Sequence, residues 1–434
     1  MKTRLFTLVV FAILTSARIQ ANPPDNLSTE RLPGTKASEL ASLVTAPVTA
    51  PVTPPLGACL GAFTNTPFFR DAEFSLRPRL YYRYTDAGHV LHEAFAAGGA
   101  LELSTGWWRN TLQLGLTGYT TQPLDAPRDR TNTGLLRSDG DGFSVLGQAW
   151  ARLRTGSASA TLFRQALELP FINGYDALMI PNTFEAYGID VKHSKNFRFG
   201  FGYVARMKTR TSADFKPMSE IAGAPNTHHG TSVAGFLLGT EPKTYLGAID
   251  ECTSDLFNSL YVQAGHTWKL THAFEVRGDV QFLDQRSVGQ ELIGPLEAQL
   301  YGARLSASYR SAVLTLAFTN TTGATIFHPF GVTSAFNSIM ISDFDQAEEK
   351  TYHIGLSYDF APLGFTGVSA FASYVHGVLP GGNNEDEADA TVDYHITKGA
   401  LKSLWVRLRY ARNTRSDTFT TEEFRVILNY TIAF

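Results

Sequence analysis

Arginines recur at alternate positions in three short segments of this sequence, and alternation brings the side chains of a β-strand to one face. The arginines concerned are Arg77, Arg79, Arg83, Arg407, Arg409 and Arg425. A guanidinium group stays charged at physiological pH and donates hydrogen bonds in a fork that matches a carboxylate. If one wall carried all six, a solute carboxylate could pass from one arginine to the next. The alternative is that pairs with acids such as Glu73 or Glu423 only brace the wall.

Amphipathic strands are the elements that would position these arginines. The last predicted strand runs from Glu422 to Phe434 and is apolar at every second position, with mostly polar residues between. The same alternation occurs at Glu73–Tyr84, Phe197–Met207, Phe274–Phe282 and Leu404–Tyr410. If the last strand closes a barrel onto the first, the three arginine-bearing segments become neighbours.

The composition supports a barrel in a membrane. Hydrophobic residues make up 44% of the chain, yet the mean hydropathy is -0.09, so apolar and polar residues are interleaved. Charged residues are 18%, below the roughly 25% of soluble domains. The sequence therefore predicts an all-β fold, a transmembrane antiparallel β-barrel of about eighteen strands. Its apolar face would meet lipid and its polar face would line an aqueous channel.

The N-terminus predicts export. Lys2 and Arg4 precede the apolar run Leu5–Leu14, and small residues follow, with cleavage after Ala17 or Ala21 both open. We expect a signal peptide at residues 1–21, a Pro/Thr/Ala-rich periplasmic leader at 22–68 and an outer-membrane barrel at 69–434. Cys59 would precede the first strand and Cys252 would lie near an outer loop, so no disulfide is expected between them.

Connections of two lengths alternate along the chain. Short turns are predicted around Trp107, Gly156, Lys195, His272 and Ser311. Longer polar loops are predicted at Gln122–Asp141, Thr211–Gly230, Thr322–Ala347 and Leu379–Asp389. Short turns on one side and long loops on the other are typical of outer-membrane barrels.

Several segments resemble the OprD family of substrate-selective outer-membrane porins. They are Leu162–Ile189, Phe344–Gly364, Val392–Arg412 and the C-terminal sequence FRVILNYTIAF, in the order of the family. The resemblance implies a pore of eighteen strands, narrowed by inward-folded constriction loops, with an arginine ladder opposite an acidic pocket. The matching ladder positions are Arg77, Arg79, Arg407, Arg409 and Arg425, and Arg83 joins them by parity.

The resemblance also places the constriction. The narrowing loop would be Leu169–Thr183, with Tyr175 and Asp176 near the constriction, although Asp176 is equally explained as a loop cap. Asp343 and Asp345 are candidates for the acidic side. Family members often carry arginine after the aspartate, where this sequence has Ala177 and Leu178.

The expected function is passive, selective diffusion of small water-soluble solutes, favouring those that bear a carboxylate, across the outer membrane of a Gram-negative bacterium. A chitoporin-like oligosaccharide channel and an outer-membrane barrel enzyme remain alternatives. No enzyme activity and no cofactor are expected. A metal site is not expected either, since His228 and His229 have no third ligand at compatible spacing. The expected partners are solutes, outer-membrane lipid and lipopolysaccharide, and the barrel-assembly machinery through the C-terminal strand, but not nucleic acid.

Overall fold

The computed structural model describes residues 66–399, 401–416 and 419–433. The predicted signal peptide, residues 22–65 of the predicted leader, Cys59 and Phe434 lie outside the described residues. Among the residues that are described, no helix has the length and apolar character needed to span a membrane.

Eighteen long antiparallel strands, numbered β1 to β18 in chain order, form a closed barrel. The first nine are β1 (Glu73–Asp86), β2 (Leu91–Ser104), β3 (Leu112–Asp125), β4 (Phe143–Thr155), β5 (Ala158–Gln165), β6 (Thr183–Ser194), β7 (Phe197–Lys208), β8 (Thr231–Thr240) and β9 (Thr244–Thr253). The remaining nine are β10 (Phe257–Lys269), β11 (Phe274–Ser287), β12 (Glu297–Tyr309), β13 (Ala312–Gly323), β14 (Lys350–Asp359), β15 (Val368–Val378), β16 (Asn384–His395), β17 (Trp405–Arg415) and β18 (Thr420–Asn429). Each strand pairs with the next, and β18 pairs with β1 to close the barrel. The predicted fold class is confirmed.

Short elements occupy the connections. Two single-turn helices lie at Pro67–Arg70 and Met218–Ile221, and 3-10 turns lie at Ala361–Leu363 and Pro380–Gly382. The three-residue strand Phe215–Pro217 pairs with β7, and Ile432–Ala433 continues the direction of β18 and pairs with β1. The predicted terminal strand is thus interrupted at residues 430–431.

The exposure of β1 is the reverse of that in a soluble barrel. Leu76 and Leu80 are each 38% exposed, whereas Arg79 on the opposite face is 7% exposed. Apolar side chains therefore cover the outside, where they would contact lipid, and polar side chains point into the interior.

The two ends of the barrel differ as predicted. The end where β1 begins and β18 ends has short turns such as residues 156–157 and 195–196, and we call it the turn side. The other, the loop side, has the long connections 126–142, 166–182, 209–230 and 324–349. One predicted loop is wrong, because Leu379–Asp389 contains only a five-residue connection, 379–383, before β16 begins at Asn384.

Long loops fold into the barrel and fill much of it. Ile172 and Ile180 in the connection 166–182 are fully buried, as is Leu135 in 126–142. Phe330 of the connection 324–349 stacks on Phe257 of β10, with ring centroids 5.9 Å apart. We call residues 166–182 the first inward loop and residues 324–349 the second inward loop. The apolar core of this barrel therefore lies inside it, between loops and wall.

Candidate functional site

Three of the predicted arginines stand side by side where the barrel closes. Arg425 of β18 is in register with Arg83 of β1 on one side and with Arg409 of β17 on the other. The remaining three face the same interior and lie nearer the turn side. We call this surface of β17, β18 and β1 the arginine wall, and its members are Arg77, Arg79, Arg83, Arg407, Arg409 and Arg425.

One carboxylate is shared within the arginine wall. Glu423 is 2% exposed, and its two oxygens each accept a hydrogen bond of 2.8 Å from Arg83. Its Oε1 also accepts a hydrogen bond from Nε of Arg425. Because one carboxylate pairs with two guanidinium groups, the three residues together retain a positive charge. The ion pairing predicted for Glu423 as a brace is nevertheless present.

Arg79 contacts the first inward loop. Its Nη1 lies 2.8 Å from Oδ1 of Asp176 and also donates to the carbonyl oxygen of Leu178. Beside it, the hydroxyl of Tyr81 donates to the carbonyl oxygen of Ala177 at 3.0 Å. Asp176 thus lies against the arginine wall rather than across the channel from it. Ala177 and Leu178 take part through backbone carbonyls, which every residue type possesses.

The other two wall arginines near the turn side are also ion-paired. Arg407 forms a two-pronged pair with Asp393 of β16, at 2.7 and 2.9 Å. Arg77 pairs with Glu102 of β2. At the two ends of the wall, the side chains of Arg77 and Arg83 remain 17% and 20% exposed. These ends are the most exposed parts of the arginine wall.

Tyr175 and Glu168 occupy other positions in the first inward loop. The guanidinium carbon of Arg210 lies 3.8 Å from the centre of the Tyr175 ring, a cation–π contact that fixes this aromatic side chain. Burial, with the charge of Asp176 adding to it, raises the pKa of Glu168 to about 7. The loop therefore carries a carboxyl group that titrates near neutral pH.

Asp343 and Asp345 lie in the second inward loop and face a histidine. Nε2 of His328 is 3.6 Å from Asp343 and 3.5 Å from Asp345, and Ser338 donates to Asp343 at 2.6 Å. Burial raises the pKa of Asp345 to about 7, against the opposing effect of His328. These contacts of the two aspartates lie within the second inward loop and do not involve the arginine wall. Among the described residues, no group of three or more potential ligands is arranged for a metal ion.

A column of acids that the sequence analysis missed faces the interior of the barrel from β16. Its members, which we call the acidic column, are Glu385, Glu387, Asp389 and Asp393. Glu387 accepts hydrogen bonds from the backbone nitrogens of Ile341 at 2.6 Å and Ser342 at 2.8 Å. Asp389 accepts one from the backbone nitrogen of Met340 at 3.1 Å. The acidic column thus anchors the second inward loop.

The signal for the acidic column was present in the sequence. Glu385, Glu387 and Asp389 alternate, as the arginines do, and alternation continues through Thr391 to Asp393. The first three of these acids fall within Leu379–Asp389, which the sequence analysis predicts as a polar loop. Applying the same period of two to acids as to arginines would have placed them on one interior face.

Comparison with known proteins identifies the architecture. Over residues 66–434 the chain matches the family model described as outer membrane porin, OprD family. The chain belongs to the OprD family of outer membrane porins. OprD porins are channels, so this protein is a porin rather than an enzyme, and it is located in the outer membrane of a Gram-negative bacterium. The loop side then faces the medium and the turn side the periplasm.

Individual relatives are distant but cover the barrel. The porin-like protein GalP of Pseudomonas putida is 19% identical, over 84% of this chain and 93% of its own. The crystal structure of Pseudomonas aeruginosa OccK9 (OpdG) has a TM-score of 0.79 at 24% identity, covering 85% of this chain and all of that one. The structure of Pseudomonas aeruginosa OpdK with vanillate has a TM-score of 0.76 at 22% identity, with the same coverage. At these identities the structures establish the shared OprD fold alone.

Proposed function

We propose that this porin favours small solutes that carry a carboxylate, and that such solutes pass along the arginine wall. The cross-strand row of Arg83, Arg425 and Arg409 is the observation that carries the proposal. Three fixed guanidinium groups at one level attract an anion and repel a cation by several-fold in local concentration. OpdK, which shares the fold, is described with vanillate, itself a carboxylate.

The proposed route uses the accessible ends of the wall. Arg83 would meet the solute on the loop side and Arg77 on the turn side, since both side chains keep part of their surface exposed. At the level of Arg83, the neighbouring Arg425 and Arg409 are buried, with 4% and 3% of their surface exposed. They act through their field, which is stronger in a buried setting than in water. The solute is thus attracted along the wall by contact with the two exposed arginines and by the electrostatic field of the buried ones.

The test compares two arginines of β17 that face opposite ways. Arg409→Gln removes a charge from the arginine wall, whereas Arg412→Gln removes one from an exposed side chain paired with Glu422. Uptake of benzoate and of neutral chitobiose would be measured in liposomes that contain the full-length porin. Two unit charges about 10 Å apart interact by roughly 1.7 kcal/mol at an effective dielectric constant of about 20, so Arg409→Gln should slow benzoate about tenfold.

Arg412→Gln should leave both uptake rates near those of the wild type. Equal benzoate uptake by the two variants would contradict the proposal and leave the arginines as braces. Faster uptake of chitobiose than of benzoate by the wild type would instead favour the oligosaccharide channel. Open-channel conductance in potassium chloride provides the control for folding of each variant.

A further inference from the structure

A second group of interior arginines lies at the turn-side mouth, away from the arginine wall. Trp150, Arg152 and Arg154 occupy alternate positions of β4. Leu153, between the two arginines, is 40% exposed and points outward. By the alternation of a strand, the two arginines therefore point into the barrel, with their α-carbons about 7 Å apart.

Each of these arginines rests on a tryptophan. The guanidinium carbon of Arg152 lies 4.9 Å from the ring centre of Trp150. That of Arg154 lies 3.7 Å from the ring centre of Trp107, in the turn between β2 and β3. We call these four residues the tryptophan–arginine cluster. Stacking on an aromatic face restricts a guanidinium group without using up its hydrogen-bond donors.

The neighbouring strand is shaped to receive Trp150. Gly115 of β3 is in register with Trp150, and a β-carbon at Gly115 would overlap the indole ring. The ring therefore lies across the strand where only glycine leaves room. A bulky side chain held flat in this way is a rigid support for Arg152.

Among the described residues, the arginines of the cluster lack the carboxylate partners that most arginines of the arginine wall have. Arg152 donates to the hydroxyl of Thr161 at 3.2 Å. Arg154 donates from Nε to the carbonyl oxygen of Asn110 at 3.0 Å and from Nη2 to the side-chain oxygen of the same residue. Neither forms an ion pair with any acid in the part of the chain that the structure describes. Asp190, the acid that faces this region from β6, is held by Arg198 at 2.7 Å. Donors of both guanidinium groups are thus left for an anion.

Polar side chains connect the cluster to the arginine wall. A cleft beside the wall is lined by Arg77, Arg79 and Tyr119, among others. The hydroxyl of Tyr119 accepts a hydrogen bond of 2.6 Å from Gln148, which precedes Trp150 by two residues on β4. Tyr119 and Gln148 therefore supply polar groups in the interval between Arg77 and Arg152.

We infer that the tryptophan–arginine cluster is a second anion-binding site, which holds the carboxylate group of a solute at the periplasmic mouth. The inference rests on the proposed function, because it assigns a further binding site on the same solute route. Arg152 and Arg154 contact the carboxylate, and Trp150 is a positioning residue that acts through Arg152.

Single-channel recording of the full-length porin, with benzoate as the probe, tests the site. The double variant Arg152→Gln/Arg154→Gln should shorten the benzoate-induced blocks about tenfold, since it removes charged donors. The matched control is Arg310→Gln, which removes an arginine from another turn-side connection, where it stacks on the exposed Tyr309. Block durations in the double variant equal to those in the control would overturn the inference.

Trp150 supplies an independent measurement. Trp150→Leu should shorten the blocks about threefold, the approximate value of a cation–π contact, and Trp150→Phe should restore them, with chloride conductance unchanged in both. If Arg409→Gln alters benzoate transport while the double variant does not, the proposed function stands and the second site fails. If none of these variants changes the response to benzoate, both fail.

Discussion

The arginine wall and the acidic column are neighbours in the barrel and follow the same alternation, yet their charges are used differently. Arginines of the wall pair with side-chain carboxylates, and its two end arginines stay partly exposed. In the acidic column, Glu387 and Asp389 accept hydrogen bonds from the backbone of the second inward loop and are 0% and 4% exposed. Alternation therefore indicates which way a charge points, but the loops decide whether a solute can reach it.

Removing an anchor of the acidic column should have the largest effect. Glu387→Ala leaves the backbone nitrogens of Ile341 and Ser342 without their acceptor. The loss should cost roughly 3 kcal/mol in the free energy of unfolding, since bonds to charged groups contribute about 1.5–3 kcal/mol each. The second inward loop should also loosen. Denaturant unfolding in detergent and single-channel conductance would report the two effects.

The control for Glu387 is its neighbour in the chain. Asp386 pairs with His376 at 2.7 Å and with Tyr374, which is 45% exposed on the outer face. Asp386→Ala should change the unfolding free energy by no more than about 1 kcal/mol and leave the conductance unaltered. The same conductance and stability in both variants would mean that the acidic column does not anchor the loop.

Releasing the shared carboxylate of the arginine wall should strengthen anion preference. Glu423→Gln removes the negative charge between Arg83 and Arg425. The ratio of chloride to potassium permeability, from the reversal potential in a salt gradient, should rise about threefold to tenfold. Glu422→Gln, at an adjacent residue with 43% side-chain exposure, should leave it unchanged. A ratio that falls in Glu423→Gln would show that the carboxylate organises the wall rather than masking it.

The last prediction is a pH dependence of stability that arises from Glu168, an acid that belongs to neither surface. Its pKa is raised from 4.5 to about 7, chiefly by burial, so the folded protein binds the proton more tightly than the unfolded chain does. Stability therefore falls as the pH rises through the window between these two values. At about 1.4 kcal/mol per pKa unit, the loss should be roughly 3 kcal/mol across the whole window. Unfolding free energies at pH 5 and pH 8 should differ less in Glu168→Gln than in the wild type, and an equal difference would exclude this role.

Much of the fold could be predicted because strands of a membrane barrel repeat a simple period. The first strand was expected at Glu73–Tyr84 and extends over Glu73–Asp86, and closure onto the last strand brings Arg83 beside Arg425. The predicted loop Leu379–Asp389 is wrong because its acidic residues at alternate positions from Glu385 onward line the polar interior of the barrel. In a barrel whose interior is polar, a dense charge is equally compatible with a strand.

The partners of the site residues could not be predicted. Asp176 was expected near the constriction, but its pairing with Arg79 depends on how the first inward loop folds back. Contacts to the carbonyl oxygens of Leu178 and Met340 involve no particular side chain of the loop. Because every residue has a backbone carbonyl group, the sequence does not indicate which ones accept these hydrogen bonds. Only the three-dimensional path of the chain reveals them.

Two wall arginines hold the inward loops by the same donors that would bind a solute. Arg79 donates to the carbonyl oxygen of Leu178 in the first inward loop, and Arg425 donates to that of Met340 in the second at 3.2 Å. A carboxylate that took those donors would compete with the loop carbonyls, so by thermodynamic linkage the arginines would bind the carboxylate more tightly once a loop had moved away. In such a channel the solute would loosen its own constriction, and permeability would rise with solute occupancy.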